Sequence, residues 1–343
     1  MHIIKKEVLP PCSAIYNKNK KSLLYRVTYY KKRINLEVYH ALTDGSGALE
    51  FLKSLVSWYL YYKNSEDFEG DIVLDYDASN TEKMEDSFDK YYKKQKSSSL
   101  LSFEYNYQIK GEKLKDNRMR IVEGYMSVKD VIDVAHKYNA TLTSFIASVY
   151  LMAISKTMST KDKKNAVSLA VPVNLRNYFK SATARNFFGV VPITYKFSDE
   201  EINFGQLVND VNNIFKHELT KENIEKRMNS FSALEHNFIV RLVPLVIKDF
   251  VLKIADKIEQ FKTSATLSNV GKVDIPDIYS KYIKRFDVFV STPKQQICMC
   301  SYKDELTISF SSAFVSTDII KHFFRILTDL DIKVEIDANV LDE

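Results

Sequence analysis

One short stretch of the sequence combines residue types that could activate a nucleophile: Tyr39-His40-Ala41-Leu42-Thr43-Asp44-Gly45-Ser46-Gly47. An imidazole titrates near neutrality, so His40 could remove a proton from an alcohol or an amine wherever substrates can reach it. Asp44 precedes Gly45, whose missing side chain permits tight backbone geometry, and would either anchor the loop through an arginine or cap a helix at Ser46. A lone histidine and an Asp-Gly turn also serve purely structural roles, so the chemistry depends on the elements that position them.

Those elements are a predicted hairpin and a predicted helix. Residues 23–30 are rich in β-formers, residues 31–33 form a basic turn, and residues 34–40 alternate between apolar and polar types with period two. The alternation places His40 at the end of a strand, on its apolar face. After Gly47 the apolar residues recur every three or four positions, which indicates an amphipathic helix.

The rest of the chain predicts two halves joined by a polar segment. Residues 64–100 carry an acidic cluster and few apolar residues, which indicates a surface excursion between an N-terminal half, 1–115, and a C-terminal half, 116–343. Ser127 followed by Asp130 predicts a capping box that starts a helix through residue 136. Further helices are predicted for residues 141–158, 203–219 and 240–260, and for a final helix capped by Ser316 or Thr317. Strands are predicted for residues 166–173, 187–197, 266–269, 286–291, 297–302 and 306–311, so the pattern is that of a mixed α/β protein in two layers.

The composition excludes several other classes of protein. Hydrophobic residues make up 45% and charged residues 27% of the 343, which is typical of a globular protein. The net charge of +5 comes without a sustained basic stripe, so no nucleic-acid partner is predicted. The cysteines Cys12, Cys298 and Cys300 form neither a disulfide framework nor a metal pattern, so no metal is expected. No apolar run reaches the roughly 18 to 20 residues of a membrane span and no signal peptide is evident, so the expected location is cytoplasmic.

The segment from His40 to Gly45 resembles the H-x-x-x-D-G signature of the chloramphenicol-acetyltransferase-like superfamily of acyltransferases. The similarity extends over most of residues 11–330, and within the superfamily the chain is most similar to bacterial alcohol acetyltransferase-like and condensation-domain-like proteins. The strand that carries Leu24-Tyr25-Arg26 matches the local context of the motif. Three segments of the second half recur in the same order in these relatives: Val171-Pro172-Val173-Asn174-Leu175-Arg176, Arg185-Asn186-Phe187-Phe188-Gly189 and Leu267-Ser268-Asn269-Val270-Gly271.

The resemblance implies an α/β (α+β) fold in which two sandwich-like halves form a V-shaped pseudo-dimer around a tunnel. An acyl-CoA thioester such as acetyl-CoA would enter as co-substrate from one side, and an alcohol or amine acceptor from the other. His40 would be the general base, without a covalent acyl-enzyme. Asp44 and Gly45 would be structural, with Arg26 or Arg176 as the partner of the Asp44 carboxylate.

The resemblance also suggests which other residues serve the reaction. A tetrahedral intermediate needs a hydrogen-bond donor for its oxyanion, and the Ser268 hydroxyl is the first candidate, with Asn269 as the second. The alternative is that residues 268–271 only end a strand. Asn174, Arg176 and Asn186 are candidates for lining the tunnel and contacting substrate, although Arg176 could instead bridge a carboxylate between elements.

Two departures from the relatives shape the remaining expectations. Tyr39 stands where most relatives carry a second histidine. Only 39 residues precede His40, whereas relatives have a further strand and helix, so the N-terminal half is expected to be shortened and to be covered in a homodimer or by a partner chain. Two other functions stay open: a non-catalytic binding protein of the same fold, and a condensation enzyme that takes its acyl group from a carrier protein.

Overall fold

The structure is a computed structural model that describes residues 4–16, 19, 23–68, 71–74, 78–94, 105–198, 202–236, 242–245, 247–248, 253 and 260–340. Its first sheet has three strands, Lys5–Lys6 (β1), Tyr25–Tyr30 (β2) and Arg33–Val38 (β3). Strand β1 pairs with β2 in parallel, and β2 and β3 form the antiparallel hairpin that the sequence predicted. The second strand of this hairpin ends two residues before His40, which lies in a turn instead.

Helix α1 (Gly45–Lys63) follows the motif and connects the first sheet to the rest of the molecule. Its leucines face a small core made mainly by the second half of the chain. Leu60 is buried there with Val273, Tyr279 and Cys300. The predicted amphipathic helix is confirmed, and its apolar face joins the two halves.

The second sheet has seven strands in the order β10-β4-β9-β8-β7-β5-β6. These strands are Arg120–Ser127 (β4), Val167–Asn174 (β5), Phe188–Tyr195 (β6), Ala265–Lys272 (β7), Gln295–Tyr302 (β8), Glu305–Ser312 (β9) and Glu335–Ala338 (β10). The neighbours β5 and β7, and β7 and β8, run parallel, while the other pairs are antiparallel. Because crossovers between parallel strands need long connections, helices are placed against this sheet.

One face of the second sheet carries the main core. The helices described after α1 are Asn80–Met84 (α2), Ser87–Tyr91 (α3), Val128–Lys137 (α4), Leu142–Ser155 (α5), Phe204–Glu218 (α6), Lys221–His236 (α7), Asp277–Ser280 (α8) and Asp318–Asp329 (α9). Helix α5 is almost wholly buried and packs against α6 and α9. Alternate strand residues such as Leu169, Ile193 and Phe310 point into the same core, as expected for a period of two.

The opposite face of the second sheet is polar. Strand register aligns Ser268, Cys298, Ser309 and Glu123 in one row across β7, β8, β9 and β4. Cys298 and Ser309 are buried. A polar sheet face that is removed from water must be covered by groups that can bond to it.

The strand predicted for residues 286–291 is wrong, because this segment lies across that polar face instead of pairing within the sheet. Its carbonyl oxygens accept hydrogen bonds from side chains: Phe286 O from Cys300 Sγ at 3.2 Å, and Val290 O from Ser311 Oγ at 2.7 Å. The apolar alternation that suggested a strand reflects packing on the sheet, with Phe286 in the small core beside Cys300.

Other local predictions can be compared directly. Ser127 Oγ accepts a hydrogen bond from Asp130 N at 3.2 Å, which confirms the cap of α4. Ser316, not Thr317, bonds the start of α9 through Asp318 N. Strands β1, β4 and β10 and helix α7 were not predicted, and the helix predicted for residues 240–260 falls largely outside the described residues.

The described part of the expected surface excursion contains α2 and α3. These helices lie against the second half, where the Phe88 ring contacts the Phe187 ring at a centroid distance of 5.2 Å. The Tyr91 ring lies 6.2 Å from that of Phe187. The segment is therefore partly packed and not only a solvated connection.

Candidate active site

The motif loop, residues 39–47, connects β3 to α1 and lies against the second half of the chain. Asp44 is the N-cap of α1, and its Oδ1 accepts a hydrogen bond from Gly47 N at 3.0 Å. Its Oδ2 accepts from Arg176 Nη1 at 2.8 Å and from Phe187 N at 2.8 Å. Both roles considered for Asp44 are thus present at once: it caps a helix and it pairs with an arginine.

Arg176 is the arginine that pairs with Asp44. Its side chain is only 15% exposed, and its other nitrogen atoms donate to the carbonyl oxygens of Thr183 and Arg185. The donors of a guanidinium lie in one plane at fixed angles, so a single arginine can bond the Asp44 carboxylate and these two carbonyl oxygens together. Arg26, the other candidate, pairs with Glu37 on the neighbouring strand. Arg176 therefore bridges a carboxylate between the two halves.

A close backbone approach fixes the same loop a second time. Thr43 Oγ1 donates to Ala184 O at 2.5 Å. A Cβ at Gly47 would lie 2.7 Å from Ala184 O and 2.1 Å from Thr43 Oγ1, so a side chain cannot fit. Gly45 has no atom within 4 Å of an added Cβ and starts a regular helix. A tight backbone geometry was expected at Gly45, but the close contact is at Gly47. The reason is that the first turn of α1 contacts the second half at Gly47, whereas a side chain at Gly45 would meet open space.

His40 is exposed at the junction of the two halves. Its ring lies 5.5 Å from the Phe188 ring on β6, centroid to centroid. Its backbone oxygen accepts from Asn186 Nδ2 at 3.1 Å. Among the described residues none forms a hydrogen bond with the imidazole, so both ring nitrogens are free to bind a substrate. Tyr39, at the position of the relatives' second histidine, stacks on Tyr16 at 6.1 Å.

Asn174 and Asn186 both belong to the contact between the halves. Asn174 Nδ2 donates to Ser46 Oγ at 3.0 Å, and its Oδ1 accepts from Arg176 N at 3.1 Å. Within the described structure Asn186 Oδ1 is buried without a hydrogen-bond partner. A buried, unbonded amide oxygen near His40 is a group that a ligand could satisfy.

Ser268 and Asn269 project to opposite faces of β7. Leu267 is buried in the main core, so Ser268 lies on the polar face, the one that Asn174 and Phe188 also occupy on β5 and β6. Asn269 turns toward the helices, where its Nδ2 donates to Thr143 Oγ1 at 2.9 Å and its Oδ1 accepts from Gly271 N at 2.9 Å. Because alternate residues of a strand point to opposite sides, Ser268 and Asn269, the two candidates for the oxyanion donor, do not share one face of the sheet.

Asn174 and Ser268 lie on the same face of two neighbouring parallel strands, β5 and β7. Strands β5 and β7 pair at Leu169 with Ala265 and at Ala170 with Thr266. Beyond these pairs β5 continues to Asn174 and β7 to Lys272. Asn174 is the last residue of β5, and in sheets with parallel strands ligands bind outside the carboxyl ends of those strands. Ser268 is the fourth of the eight residues of β7, and no hydrogen bond to its hydroxyl is found in the described part of the chain.

The sequence predicted no contact between the halves for Gly47, Ser46, Thr43 or Phe188, although all four contribute to it. Of these four residues, Gly47 was the one that the sequence could best have indicated. Glycine disfavours helix formation, so a second glycine in the first turn of a predicted helix suggests that a close contact excludes a side chain there. The partners of Thr43 and Ser46 lie more than 120 positions away in the sequence. No local pattern could have indicated them.

Electrostatics distinguish a second group of residues on the polar face. Burial, with the nearby charge of Asp287 as a smaller cause, raises the pKa of Glu123 to about 7. Burial also raises the pKa of Asp287. From the residues that the structure describes, Glu123 accepts only long hydrogen bonds, from Tyr125 at 3.3 Å and from Ser309 at 3.4 Å. Arg33, on the hairpin of the first half, has the opposite effect on both pKa values.

Neither a metal site nor a membrane span is evident in the part of the chain that the structure describes. No group of three or more His, Cys, Asp or Glu side chains there could hold a metal ion. None of the helices described there is long and apolar enough to cross a bilayer. The free cysteines Cys12, Cys298 and Cys300 form no disulfide.

Solved structures with the same fold include a polyketide synthase associated protein, a protein in complex with coenzyme A and an epimerization domain. Polyketide synthase associated protein 5 from Mycobacterium tuberculosis matches 95% of this chain and 79% of its own, with 11% identity and a TM-score of 0.56. TRI101 of F. graminearum, in a complex with coenzyme A and T-2 mycotoxin, matches 90% of this chain and 69% of its own, with 11% identity and a TM-score of 0.56. The epimerization domain of the third module of tyrocidine synthetase B matches 90% and 71%, with 11% identity and a TM-score of 0.52.

At these identities the comparison shows the fold alone, and it confirms the predicted mixed α/β fold with a pseudo-dimer arrangement. The sequence matches none of the curated proteins with which it was compared. A sequence profile described as alcohol acetyltransferase matches residues 13–300, which is most of the chain and includes the motif loop and Ser268. The chain therefore belongs to the alcohol acetyltransferase family.

Proposed function

We propose that the protein transfers an acyl group from acyl-CoA to an alcohol or amine, with His40 as the general base. The observation that carries the proposal is the position of His40. Its imidazole is exposed and, among the described residues, unbonded, yet its loop is held against the second half by the Asp44–Arg176 pair. A base must be both accessible and fixed, because proton transfer requires a defined distance to the acceptor.

In the proposed reaction, a ring nitrogen of His40 takes the proton of the acceptor hydroxyl or amine as its oxygen or nitrogen attacks the thioester carbonyl. The carbonyl oxygen becomes an oxyanion, and the Ser268 hydroxyl donates a hydrogen bond to it. Collapse of the tetrahedral intermediate breaks the carbon–sulfur bond. The thiolate of CoA leaves and takes the proton from the His40 imidazolium, so the base is regenerated without a covalent acyl-enzyme.

The relatives support the choice of donor and acceptor classes. The family is named for acetyl transfer to alcohols. Structures of TRI101 were solved with coenzyme A and with the small molecules T-2 and deoxynivalenol. We therefore propose a free acyl-CoA as donor and a small hydroxylated or amino compound as acceptor. The division of the chain near residue 115 into two halves is part of the same proposal.

The test is a screen of thioester consumption with acetyl-CoA against panels of alcohols and amines, followed by His40→Ala with the best acceptor. Loss of a general base lowers turnover by about 10²- to 10⁴-fold. The melting temperature should stay unchanged, because the side chain is exposed. His136→Ala removes another exposed histidine, on α4, and should leave turnover intact.

The same screen separates the alternative functions. Full activity of His40→Ala would disprove the role of the base. An acceptor that binds in calorimetry without any thioester consumption would indicate a binding protein. Consumption of a carrier-protein thioester, but not of the CoA thioester, would indicate a condensation-type enzyme.

A further inference from the structure

The positive charge of the chain is concentrated at its beginning. Residues 1–63 contain eleven Lys and Arg against four Asp and Glu, a net charge of +7, while the other 280 residues contain 38 against 40, a net charge of −2. The whole excess of +5 therefore comes from the segment that forms the first sheet and α1.

The same segment exposes an unusual share of large apolar side chains. Of the 26 exposed large hydrophobic residues in the described part of the chain, 13 lie between Ile4 and Tyr62. Single exposed apolar residues need no explanation, whereas a concentration of them marks an interaction surface.

Helix α1 shows how this surface is built. Phe51, Trp58, Tyr59 and Tyr62 are exposed, and their spacing of 7, 8 and 11 positions places them on one stripe. In contrast, two polar residues of the same helix are buried: Lys53 is 9% and Ser57 is 2% exposed, compared with 72% for Tyr62. The helix thus turns its aromatic residues toward solvent.

The aromatic stripe continues onto the first sheet. The Phe51 ring contacts the Tyr25 ring at a centroid distance of 5.5 Å. Tyr25 shares one face of β2 with Val27 and Tyr29, and Tyr29 is exposed. The surface formed by Tyr25, Tyr29, Phe51, Trp58, Tyr59 and Tyr62 is called here the aromatic face.

Basic side chains border the aromatic face. Lys31, Lys32 and Arg33 form the exposed turn directly after Tyr29 and Tyr30. The Lys31 ammonium lies 5.2 Å and the Arg33 guanidinium 5.5 Å from the centre of the Tyr30 ring. The Lys63 ammonium lies 5.4 Å from the centre of the Tyr59 ring. Tyr30 points to the opposite face of β2 from Tyr29, and Arg33 also pairs with Glu7. Of these contacts, the Lys63–Tyr59 pair therefore lies on the aromatic face itself, while Lys31 and Lys32 extend from the turn at its edge.

We propose that the aromatic face binds the surface of an anionic lipid bilayer, with α1 lying along it and no part of the face crossing it. Tryptophan and tyrosine rings favour the headgroup region, where one end of the ring is apolar and the other is wet. Lysines at the border add electrostatic attraction to anionic lipids. In a symmetric dimer the same patch of each copy would meet, which would bring the lysines of both borders together at a cost in like-charge repulsion, whereas anionic lipids complement these lysines. This inference is independent of the proposed function.

The experiment is flotation of the purified full chain with vesicles of phosphatidylcholine, with and without about 30% phosphatidylserine to supply the anionic surface. We expect binding to the anionic vesicles that weakens with salt. A triple variant, Lys31→Asn, Lys32→Gln and Lys63→Gln, should lower the partition coefficient by about 100-fold, since each lysine near an anionic surface favours binding by about fivefold. Tyr59→Ala with Tyr62→Ala should also lower it.

Matched controls change the same residue types on the second half. The triple variant Lys216→Gln, Lys221→Gln and Lys226→Gln removes three exposed lysines there, and Phe231→Ala removes an exposed ring. The proposal is overturned if wild type fails to float with anionic vesicles, or if the controls lose as much binding as the first-half variants. A third result would also overturn it: the wild type is a dimer by light scattering and does not bind lipid, and the tyrosine variants are monomers. The aromatic face would then be a dimer contact. Thioester consumption with a water-soluble alcohol should be unchanged in all variants, which separates this test from that of the catalytic proposal.

Discussion

At the scale of single residues, the two candidates for the oxyanion donor are adjacent in sequence but separated by the sheet. Ser268 lies on the polar face of β7, while the Asn269 amide is bonded to Thr143 at the start of α5. The hydroxyl of Ser268 has no partner in the described structure and can turn toward a developing charge. This arrangement favours Ser268 as the donor and gives Asn269 a structural role.

Replacing Ser268 with Ala should therefore lower kcat by about 10²- to 10³-fold, the usual effect of losing one oxyanion donor. The melting temperature should change little, because no bond within the described structure is lost. Asn269→Ala is the matched control and should do the reverse, with a lower melting temperature and nearly normal kcat. Steady-state kinetics and thermal melts of both variants check this, and normal turnover in Ser268→Ala would place the donor elsewhere.

At the scale of elements, the motif loop is held in place by the segment 183–187 of the second half. Asp44 is 5% exposed and accepts three hydrogen bonds, from a helix start, an arginine and a backbone amide. A carboxylate so placed is a linker between elements, and its charge is balanced by Arg176. The site depends on this contact, because His40 is four residues away in the same loop.

The substitution Asp44→Asn should lower both stability and turnover. Removing one charge of a buried pair leaves the other unpaired, at a cost of about 3–5 kcal/mol. Glu37→Gln breaks the more exposed Arg26 pair and should cost less, since exposed pairs contribute at most about 1 kcal/mol. Chemical denaturation of the two variants measures the difference. Unchanged melting with abolished turnover would make Asp44 a direct partner in the chemistry.

The two glycines of the loop offer a second test at this scale. Gly47→Ala would drive its Cβ against Ala184 O and should destabilise the protein and reduce turnover, because backbone on both sides must move. Such overpacking costs typically about 1–3 kcal/mol. Gly45→Ala meets open space and should keep the wild-type melting temperature. Equal melting of the two variants would show that the close approach at Gly47 does not hold the halves together.

At the scale of the whole molecule, the charge of the first half influences ionisable groups on the polar sheet face of the second half. Glu123, Asp287 and the hydroxyls of Tyr125 and Ser309 come from the second half, and the charge of Arg33 from the first. Arg285 and Glu305, which pair with each other, influence Asp287. Titration of Glu123 therefore couples the stability of the molecule to pH.

The sign of this coupling follows from the raised pKa of Glu123. The folded protein holds the proton up to a pH of about 7, whereas a glutamate in the unfolded chain has an ordinary pKa of 4.5, so the protonated form stabilises the fold. This stability is fully present below pH 4.5 and is lost as the pH rises through about 7. Glu123→Gln should thus raise the melting temperature at pH 8, by an amount corresponding to about 1–3 kcal/mol, and change it little at pH 5.

The control for this prediction is Glu335→Gln, which changes an exposed carboxylate on the neighbouring strand β10 and should have no pH-dependent effect. Melting curves from pH 5 to pH 8 distinguish the two variants. Equal behaviour of Glu123→Gln and wild type across this range would show that the carboxylate is already ionised in the folded protein.

The sequence alone determined the parts of the protein that depend on local patterns. Alternation with period two located the hairpin of β2 and β3 and most strands of the second half, and the capping serine located α4. For residues 286–291 the local pattern was misleading. A segment that packs across a sheet face also points alternate side chains toward and away from the sheet, so its sequence resembles that of a strand. Strand β10 was not predicted: all four of its residues are exposed, so it shows no apolar alternation.

Only the tertiary structure decided which residues meet at the site. The partner of Asp44 is Arg176, 132 positions away, and not the nearer Arg26. The glycine that cannot carry a side chain is Gly47, and Asn269 belongs to the other side of its sheet. Each of these outcomes depends on how separate elements pack, and packing distances are not encoded in the spacing of residues along the chain. The motif led to the chemistry that we propose, whereas the contact between the two halves decided which side chains surround it.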